Sequence, residues 1–146
     1  MGIGSTETYF AKGVRVVMRT PRPRVLVADD YTDLLVVFKR LLAPSCEVVG
    51  CVADGDALFE SLARLQPDVI VVDLFIPPSS GVEICRHVKQ VAPATLVVIV
   101  SASNEAEVAK AALRAGASAF VNKATAGDDL VPAIQRAMAT RSNPDS

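Results

Sequence analysis

Five polar residues of this 146-residue chain each stand at the end of a short apolar run. Three are the carboxylates Asp29, Asp30 and Asp73, one is the hydroxyl of Ser101, and one is the ammonium of Lys123. Carboxylates within a few ångströms of one another repel, so either their pKa values rise or a cation neutralises them. A hard divalent cation with oxygen ligands suits such a group. These residue types therefore predict a Mg²⁺ site.

The formal charges of this group also indicate a reaction. Three carboxylates, one Mg²⁺ and the ammonium of Lys123 sum to zero, so the pocket can accept a phosphoryl group onto one carboxylate. The metal, the ammonium and the hydroxyl of Ser101 then face the three phosphoryl oxygens. The residues thus predict phosphoryl transfer to an aspartate.

The apolar runs must be neighbouring strands if they are to bring these residues together. Each run is continuously apolar, which is typical of strands buried on both faces of a parallel sheet. The predicted strands are Arg24–Ala28, Glu47–Val52, Val69–Val72, Leu96–Val100 and Ala119–Val121. Apolar residues at helical spacing lie between them, within 34–42, 58–65, 84–91 and 130–138, and an alanine-rich helix is predicted for 105–114. Five strands alternating with five helices predict an α/β, doubly wound (βα)5 fold with its site beyond the carboxyl ends of the strands.

The two ends of the chain lack this pattern. Residues 1–23 end in Thr20-Pro21-Arg22-Pro23, which favours extended backbone, and we expect them to form a flexible leader. The folded domain is expected over 24–139, followed by a tail or linker at 140–146.

Composition excludes several classes of protein. Fifteen basic and sixteen acidic residues give a net charge of −1, so we expect no direct nucleic-acid binding by this chain. No apolar run approaches the ~18 residues of a membrane span. Cys46, Cys51 and Cys85 have no metal-binding spacing and are expected to be reduced and buried, as in a cytoplasmic protein.

Each polar residue taken singly also has a structural explanation. Asp29 or Asp30 could cap the following helix, although one cap does not account for both. Asp73 lies too far from the next predicted helix for a simple cap. Ser101 alone could be a loop or capping serine, and Lys123 alone a solvated surface lysine. Their joint position at strand ends favours a functional site.

The sequence resembles the receiver domain of two-component response regulators over about residues 24–139. The resemblance rests on VLVADDYTDLL, PDVIVVDLFIPPSSGVEICR, VVIVSAS and AALRAGASAFVNKA, including Gly81 eight residues after Asp73. The last segment is similar to receivers that precede a helix-turn-helix DNA-binding domain, which implies transcription regulation. The resemblance implies a flavodoxin-like five-stranded sheet in the order 2-1-3-4-5.

The resemblance also implies roles for the acidic residues. Asp73 is the implied phosphoacceptor, which takes a phosphoryl group from a sensor histidine kinase or a phosphotransfer protein. Asp30, Asp73 and the backbone carbonyl of Phe75 are the implied Mg²⁺ ligands, with Asp29 acting directly or through water.

The resemblance implies a catalytic role for Lys123, which is expected to pair with the phosphoryl oxygens, and for Ser101. It implies a switching role for Ser101 and Phe120: Ser101 is expected to swing in to hydrogen-bond the phosphoryl group, and Phe120 to rotate inward behind it. The added charge of about −1.5 to −2 is expected to alter the face of the fourth helix, fifth strand and fifth helix. Bulky Phe75 and small Ser103, at positions that influence water access in this family, predict a long-lived phosphorylated state.

The implied function is a signalling switch that catalyses only its own phosphorylation and slow dephosphorylation, with a homodimer as one form. One alternative is a pseudo-receiver, an interaction module that never takes phosphate. A second is a Mg²⁺-dependent phosphohydrolase. Such an enzyme needs an acidic residue two positions after its aspartate nucleophile, where this chain has Phe75 or Tyr31.

Overall fold

A computed structural model describes residues 6–19, 22–103 and 105–142. It begins with a hairpin of β1 (Thr6–Ala11) and β2 (Val14–Arg19), which pair antiparallel in a two-stranded sheet of their own. Lys12 and Gly13 join the strands with φ values of 52° and 75°, as a primed hairpin turn requires. The hairpin lies within the predicted leader, where the sequence pattern indicated no strand. Residues 1–5 and 20–21 of the leader and 143–146 of the tail lie outside the described residues, and the domain limits stay a prediction.

Five parallel strands form the central sheet, as predicted. They are β3 (Arg24–Ala28), β4 (Glu47–Val52), β5 (Val69–Asp73), β8 (Leu96–Ser101) and β9 (Ala119–Asn122). A short ladder of β6 (Phe75–Ile76) and β7 (Ser79–Ser80) follows β5. The sheet order is β4-β3-β5-β8-β9, which confirms the predicted order 2-1-3-4-5 for the five strands of the domain.

Helices follow each strand of the sheet. They are α1 (Thr32–Leu42), α2 (Gly55–Leu65), α3 (Gly81–Val91), α4 (Ala106–Arg114) and α5 (Ala126–Ser142), the last preceded by a 3-10 turn at Lys123–Thr125. None of the helices in the described part of the chain is both long enough and apolar enough to span a membrane.

The sheet has a hydrophobic core on each face. Residues of α1 and α5, such as Phe38 and Ile134, pack against one face, and residues of α2 and α3, such as Leu58 and Ile84, pack against the other. The four residues 69–72 of β5 are fully buried because β5 is the central strand. Asp73 therefore stands at the end of a strand that is enclosed on both faces.

The expectation that all three cysteines are buried was wrong for one of them. Cys46 and Cys85 are buried, whereas Cys51 is exposed. Cys51 belongs to β4, which is an edge strand of the sheet and is only partly covered. A continuously apolar run thus occurs here on a strand that is not enclosed on both faces.

Candidate functional site

Adjacent strand ends bring the predicted polar residues to one edge of the sheet. Asp29 directly follows β3, and Asp73 and Ser101 are the last residues of β5 and β8. Lys123 follows β9. Asp29, Asp30 and Asp73 each offer one carboxylate oxygen within 4.8 Å of the others.

Lys123 lies between two of the three carboxylates. Its Nζ donates a hydrogen bond to Oδ2 of Asp73 at 2.8 Å and is 3.0 Å from Oδ2 of Asp29. The Asp29 side chain is completely buried, and its Oδ2 accepts no hydrogen bond from the described residues. Lys123 thus forms an ion pair with a fully buried Asp29 carboxylate, and within the described residues no other group contacts Oδ2 of Asp29 as a donor.

Local turns orient the same two carboxylates. Oδ1 of Asp29 accepts the backbone N–H of Tyr31 at 2.9 Å, and Oδ1 of Asp73 accepts that of Phe75 at 3.2 Å. Each carboxylate is thus held by the backbone through one oxygen and faces Lys123 with the other. Neither Asp29 nor Asp30 caps α1, whose N-cap is Tyr31 and has no side-chain cap. The capping explanation considered for the aspartate pair is therefore not the arrangement seen.

Burial and charge act in opposite directions on the two central groups. Burial raises the pKa of Asp73, and nearby Asp29 adds to this rise, which outweighs the lowering by the hydrogen bonds from Lys123 and Phe75. Burial lowers the pKa of Lys123, but its contacts with Asp73 and Asp29 more than offset this, so the pKa is raised. Lys123 is consequently a firmly protonated cation, whereas the Asp73 carboxylate carries an electrostatic cost that a second cation relieves.

The donor set fits a magnesium ion. Ligands bound at about 2.1 Å in an octahedron are separated by about 3.0 to 4.2 Å, and these three carboxylate oxygens lie within 4.8 Å of one another. Asp30 is exposed and lines the cleft. Oδ2 of Asp29 is buried and accepts no hydrogen bond from the described residues, so it can act as a metal ligand. Mg²⁺ would be held by Asp29, Asp30 and Asp73.

The cleft above the carboxylates has a second wall from the β8–α4 connection. Its lining comprises Asp30, Asp73, Phe75, Ser101, Ala102, Ser103, Glu105 and Lys123. Ser101 is almost fully buried, and its Oγ accepts the N–H of Ser103 at 3.0 Å. The predicted residues Phe75 and Ser101 thus share the cleft with Asp73.

Phe120 lies elsewhere. It is half-buried on β9, packs against the core cluster that includes α2 and α3, and lines a groove between α4 and α5. Glu105, in contrast, lines the cleft although the sequence pattern singled it out only as the start of a helix. No spacing relative to a strand end marked Glu105, because the loop after Ser101 determines where it falls.

The absence of a side chain at Gly81 allows α3 to contact the backbone of Asp73. A Cβ at position 81 would lie 2.8 Å from the carbonyl oxygen of Asp73 and 3.0 Å from Cα of Leu74. The Gly81 N–H donates to the carbonyl of Leu74 at 2.6 Å. The first turn of α3 therefore packs directly on the backbone that carries Asp73.

Comparison with known proteins identifies the family of this chain. The family model described as the response regulator receiver domain matches residues 25–135, which is most of the chain. The chain belongs to the response regulator receiver domain family. The match includes all the strands and helices that build the acidic cleft of this receiver.

Curated relatives of this receiver include a protein named as an enzyme and a protein named as a response regulator. It is 44% identical over 106 residues to protein-glutamate methylesterase/protein-glutamine glutaminase 5 of Myxococcus xanthus, covering 70% of this chain and 30% of that protein. It is 32% identical over 117 residues to the nitrate/nitrite response regulator protein NarL of Escherichia coli, covering 79% of this chain and 54% of that one. The chain therefore spans about a third to a half of the length of these relatives.

A solved structure of similar extent is the response regulator domain of CheB from Thermotoga maritima. The TM-score is 0.73 at 31% identity, and the match covers 81% of this chain and 97% of that one. The receiver fold of this chain thus corresponds to an entire receiver domain.

Proposed function

We propose that this receiver is a phosphorylation-dependent switch in which Asp73 accepts the phosphoryl group. The observation that carries the proposal is the contact of one ammonium, that of Lys123, with two carboxylates at the end of the central strands. A structural ion pair with Lys123 would need only one carboxylate. Here a second carboxylate contacts the same ammonium, and a third aspartate lies within 4.8 Å of both. Such a group of charges suits the binding of a cation together with an incoming anion.

The donor would be a phosphohistidine of a sensor kinase or a phosphotransfer protein. The P–N bond of the donor breaks and an O–P bond to the Asp73 carboxylate forms, which leaves a neutral imidazole after it takes up a proton. A bound Mg²⁺ supplies neutralisation of the carboxylates and of the phosphoryl oxygens. Lys123, already 2.8 Å from Oδ2 of Asp73, needs only a small movement to pair with a phosphoryl oxygen.

Ser101 would link phosphorylation of Asp73 to a change in the loop before α4. Its hydroxyl lines the same cleft and is an acceptor for the N–H of Ser103. Reorientation of that hydroxyl toward the phosphoryl group alters the loop that leads into α4, and Phe120 on β9 borders the groove between α4 and α5. The output surface we propose is therefore the α4–β9–α5 face, through which a partner, a second copy or an attached effector domain is controlled.

The first test is the intact mass of the protein after incubation with Mg²⁺ and acetyl phosphate, beside Asp73→Asn. We expect one added phosphoryl group, lost in the variant and in EDTA. A mass increase retained in Asp73→Asn would place the acceptor elsewhere.

The same experiment separates the proposal from a pseudo-receiver. Beryllofluoride with Mg²⁺ mimics the phosphoryl group without a donor, and we expect it to raise the melting temperature of the wild type but not of Asp73→Asn. Absence of both the adduct and this stabilisation would indicate an interaction module that does not take phosphate. Release of phosphate from a generic phosphate ester would instead favour a phosphohydrolase.

A further inference from the structure

Glu105 brings an unpaired negative charge to the cleft of Asp73. It lines the cleft together with Asp30, Asp73 and Lys123, and its carboxylate makes no ion pair or hydrogen bond with the described residues. Glu107, two residues further along, differs in both respects, since it does not line the cleft and lies 3.4 Å from Nζ of Lys110.

The backbone at Glu105 is tied to the cleft. Its N–H donates to Oγ of Ser103 at 3.2 Å, and the N–H of Ser103 donates to Oγ of Ser101 at 3.0 Å. This pair of consecutive turns connects Glu105 to the end of β8. The position of the carboxylate at the cleft thus results from the fold of the loop.

The charge sum of the cleft changes once Glu105 is counted. Four carboxylates and the ammonium of Lys123 give −3, and a bound Mg²⁺ brings this to −1. A phosphodonor that enters the cleft therefore meets a negative site, and the penalty grows with the donor's own negative charge.

We propose that Glu105 is a specificity-determining residue that selects against highly charged small phosphodonors. This inference rests on the proposed phosphorylation of Asp73. Acetyl phosphate carries about two negative charges near neutral pH and phosphoramidate about one, whereas a phosphohistidine brings its phosphoryl group on an imidazole of a partner protein. In each transfer the P–O or P–N bond of the donor breaks as the O–P bond to Asp73 forms, and acetate, ammonia or imidazole leaves.

The expected size of the effect follows from Coulomb's law for one carboxylate about 8 Å from the entering donor, on the order of the width of a small cleft. At that distance in a medium close to water, removing one charge speeds entry of a singly charged donor about twofold and of a doubly charged donor about fivefold. The ratio of the two rates should consequently rise about two- to threefold.

The experiment compares rates of Asp73 phosphorylation in Mg²⁺ by acetyl phosphate and by phosphoramidate, for the full chain and three variants. Glu105→Gln removes the charge, Glu105→Asp keeps it, and Glu107→Gln removes a charge outside the cleft. We expect the acetyl phosphate to phosphoramidate rate ratio to rise in Glu105→Gln only. High salt should abolish the difference, because screening shortens the reach of the charge to a few ångströms.

The possible results separate this inference from the function on which it rests. An unchanged ratio in Glu105→Gln, with normal phosphorylation of the wild type, overturns the role of Glu105 alone. An equal rise in Glu107→Gln, or a rise that salt does not reduce, also overturns it, since the effect would not come from a charge in the cleft. Failure of both donors to phosphorylate the wild type overturns the inference together with the proposed function.

Discussion

Substitution of Gly81 by alanine tests whether the contact between α3 and the backbone of Asp73 positions the acceptor. The new Cβ would lie 2.8 Å from the Asp73 carbonyl oxygen and 3.0 Å from Cα of Leu74. Both neighbours are backbone atoms and cannot rotate away. Gly81 has no positive φ, so the conformation itself is open to alanine and the contact is the cause of any effect.

The size of the effect can be worked from these distances. Relief of the overlap requires α3 and the end of β5 to separate by about half an ångström. Forced insertion of a methyl group into a packed region typically costs about 1–3 kcal/mol. For a domain of this size we expect the melting temperature to fall by about 4–12 °C. Displacement of Asp73 relative to Lys123 should also slow phosphorylation by acetyl phosphate about tenfold, since a misplacement of 1 Å can cost a hundredfold.

Gly127→Ala is the matched control. A Cβ at Gly127 meets nothing within 4 Å, and the residue lies in the first turn of α5. Alanine there should leave the phosphorylation rate unchanged and raise the free energy of unfolding by up to about 1 kcal/mol. The assays are thermal denaturation and intact mass against time. If Gly81→Ala has the melting temperature and the phosphorylation rate of the wild type, this contact does not position Asp73.

Three further predictions concern Lys123, Phe75 and Arg141. Lys123→Met removes the cation that pairs with the buried Asp29, so we expect the free energy of unfolding without metal to fall by about 2 kcal/mol. Millimolar Mg²⁺ should raise the melting temperature of this variant more than that of the wild type, and equal responses to Mg²⁺ would contradict this. Phe75→Asn places a polar amide beside Asp73, and the half-life of the phosphorylated protein should become several-fold shorter, whereas an unchanged or longer half-life would rule out the shielding role of this exposed ring. Arg141→Ala loses an ion pair with Asp68 at 3.2 Å and should lower the melting temperature by about 2–4 °C, while Arg136→Ala on the same helix serves as control; a matching loss in the control would remove the ion pair as the cause.

The architecture was accessible from sequence because each strand is a short apolar run and each helix carries an apolar stripe. These local patterns fix the order of elements, and the parallel sheet then places Asp29, Asp73 and Lys123 at one edge. The same patterns do not show which strand lies at the edge of the sheet and is therefore partly exposed to solvent. Cys51 was expected to be buried because its strand is apolar, yet β4 lies at the sheet edge.

Other features depend on loops rather than on periodic elements. The hairpin of β1 and β2 depends on the turn at Lys12 and Gly13, where the sequence showed no clean alternation. Glu105 reaches the cleft only through the two turns after Ser101. The pairing of Lys123 with both Asp29 and Asp73, and not with Asp73 alone, is a matter of side-chain geometry that strand-end positions leave open.

Helix α5 runs from the acidic cleft toward the opposite end of the parallel strands. It has 17 residues, a length of about 25 Å, and starts directly after the turn that contains Lys123. Near its far end Arg141 contacts Asp68 and the carbonyl of Ala94, at the amino-terminal ends of the strands. Over this length, a displacement of about 2 Å at the Lys123 end with the Arg141 end fixed would correspond to a tilt of about 5°. If phosphorylation of Asp73 caused such a tilt, any segment that follows α5 would be displaced by a distance that grows in proportion to its separation from Arg141.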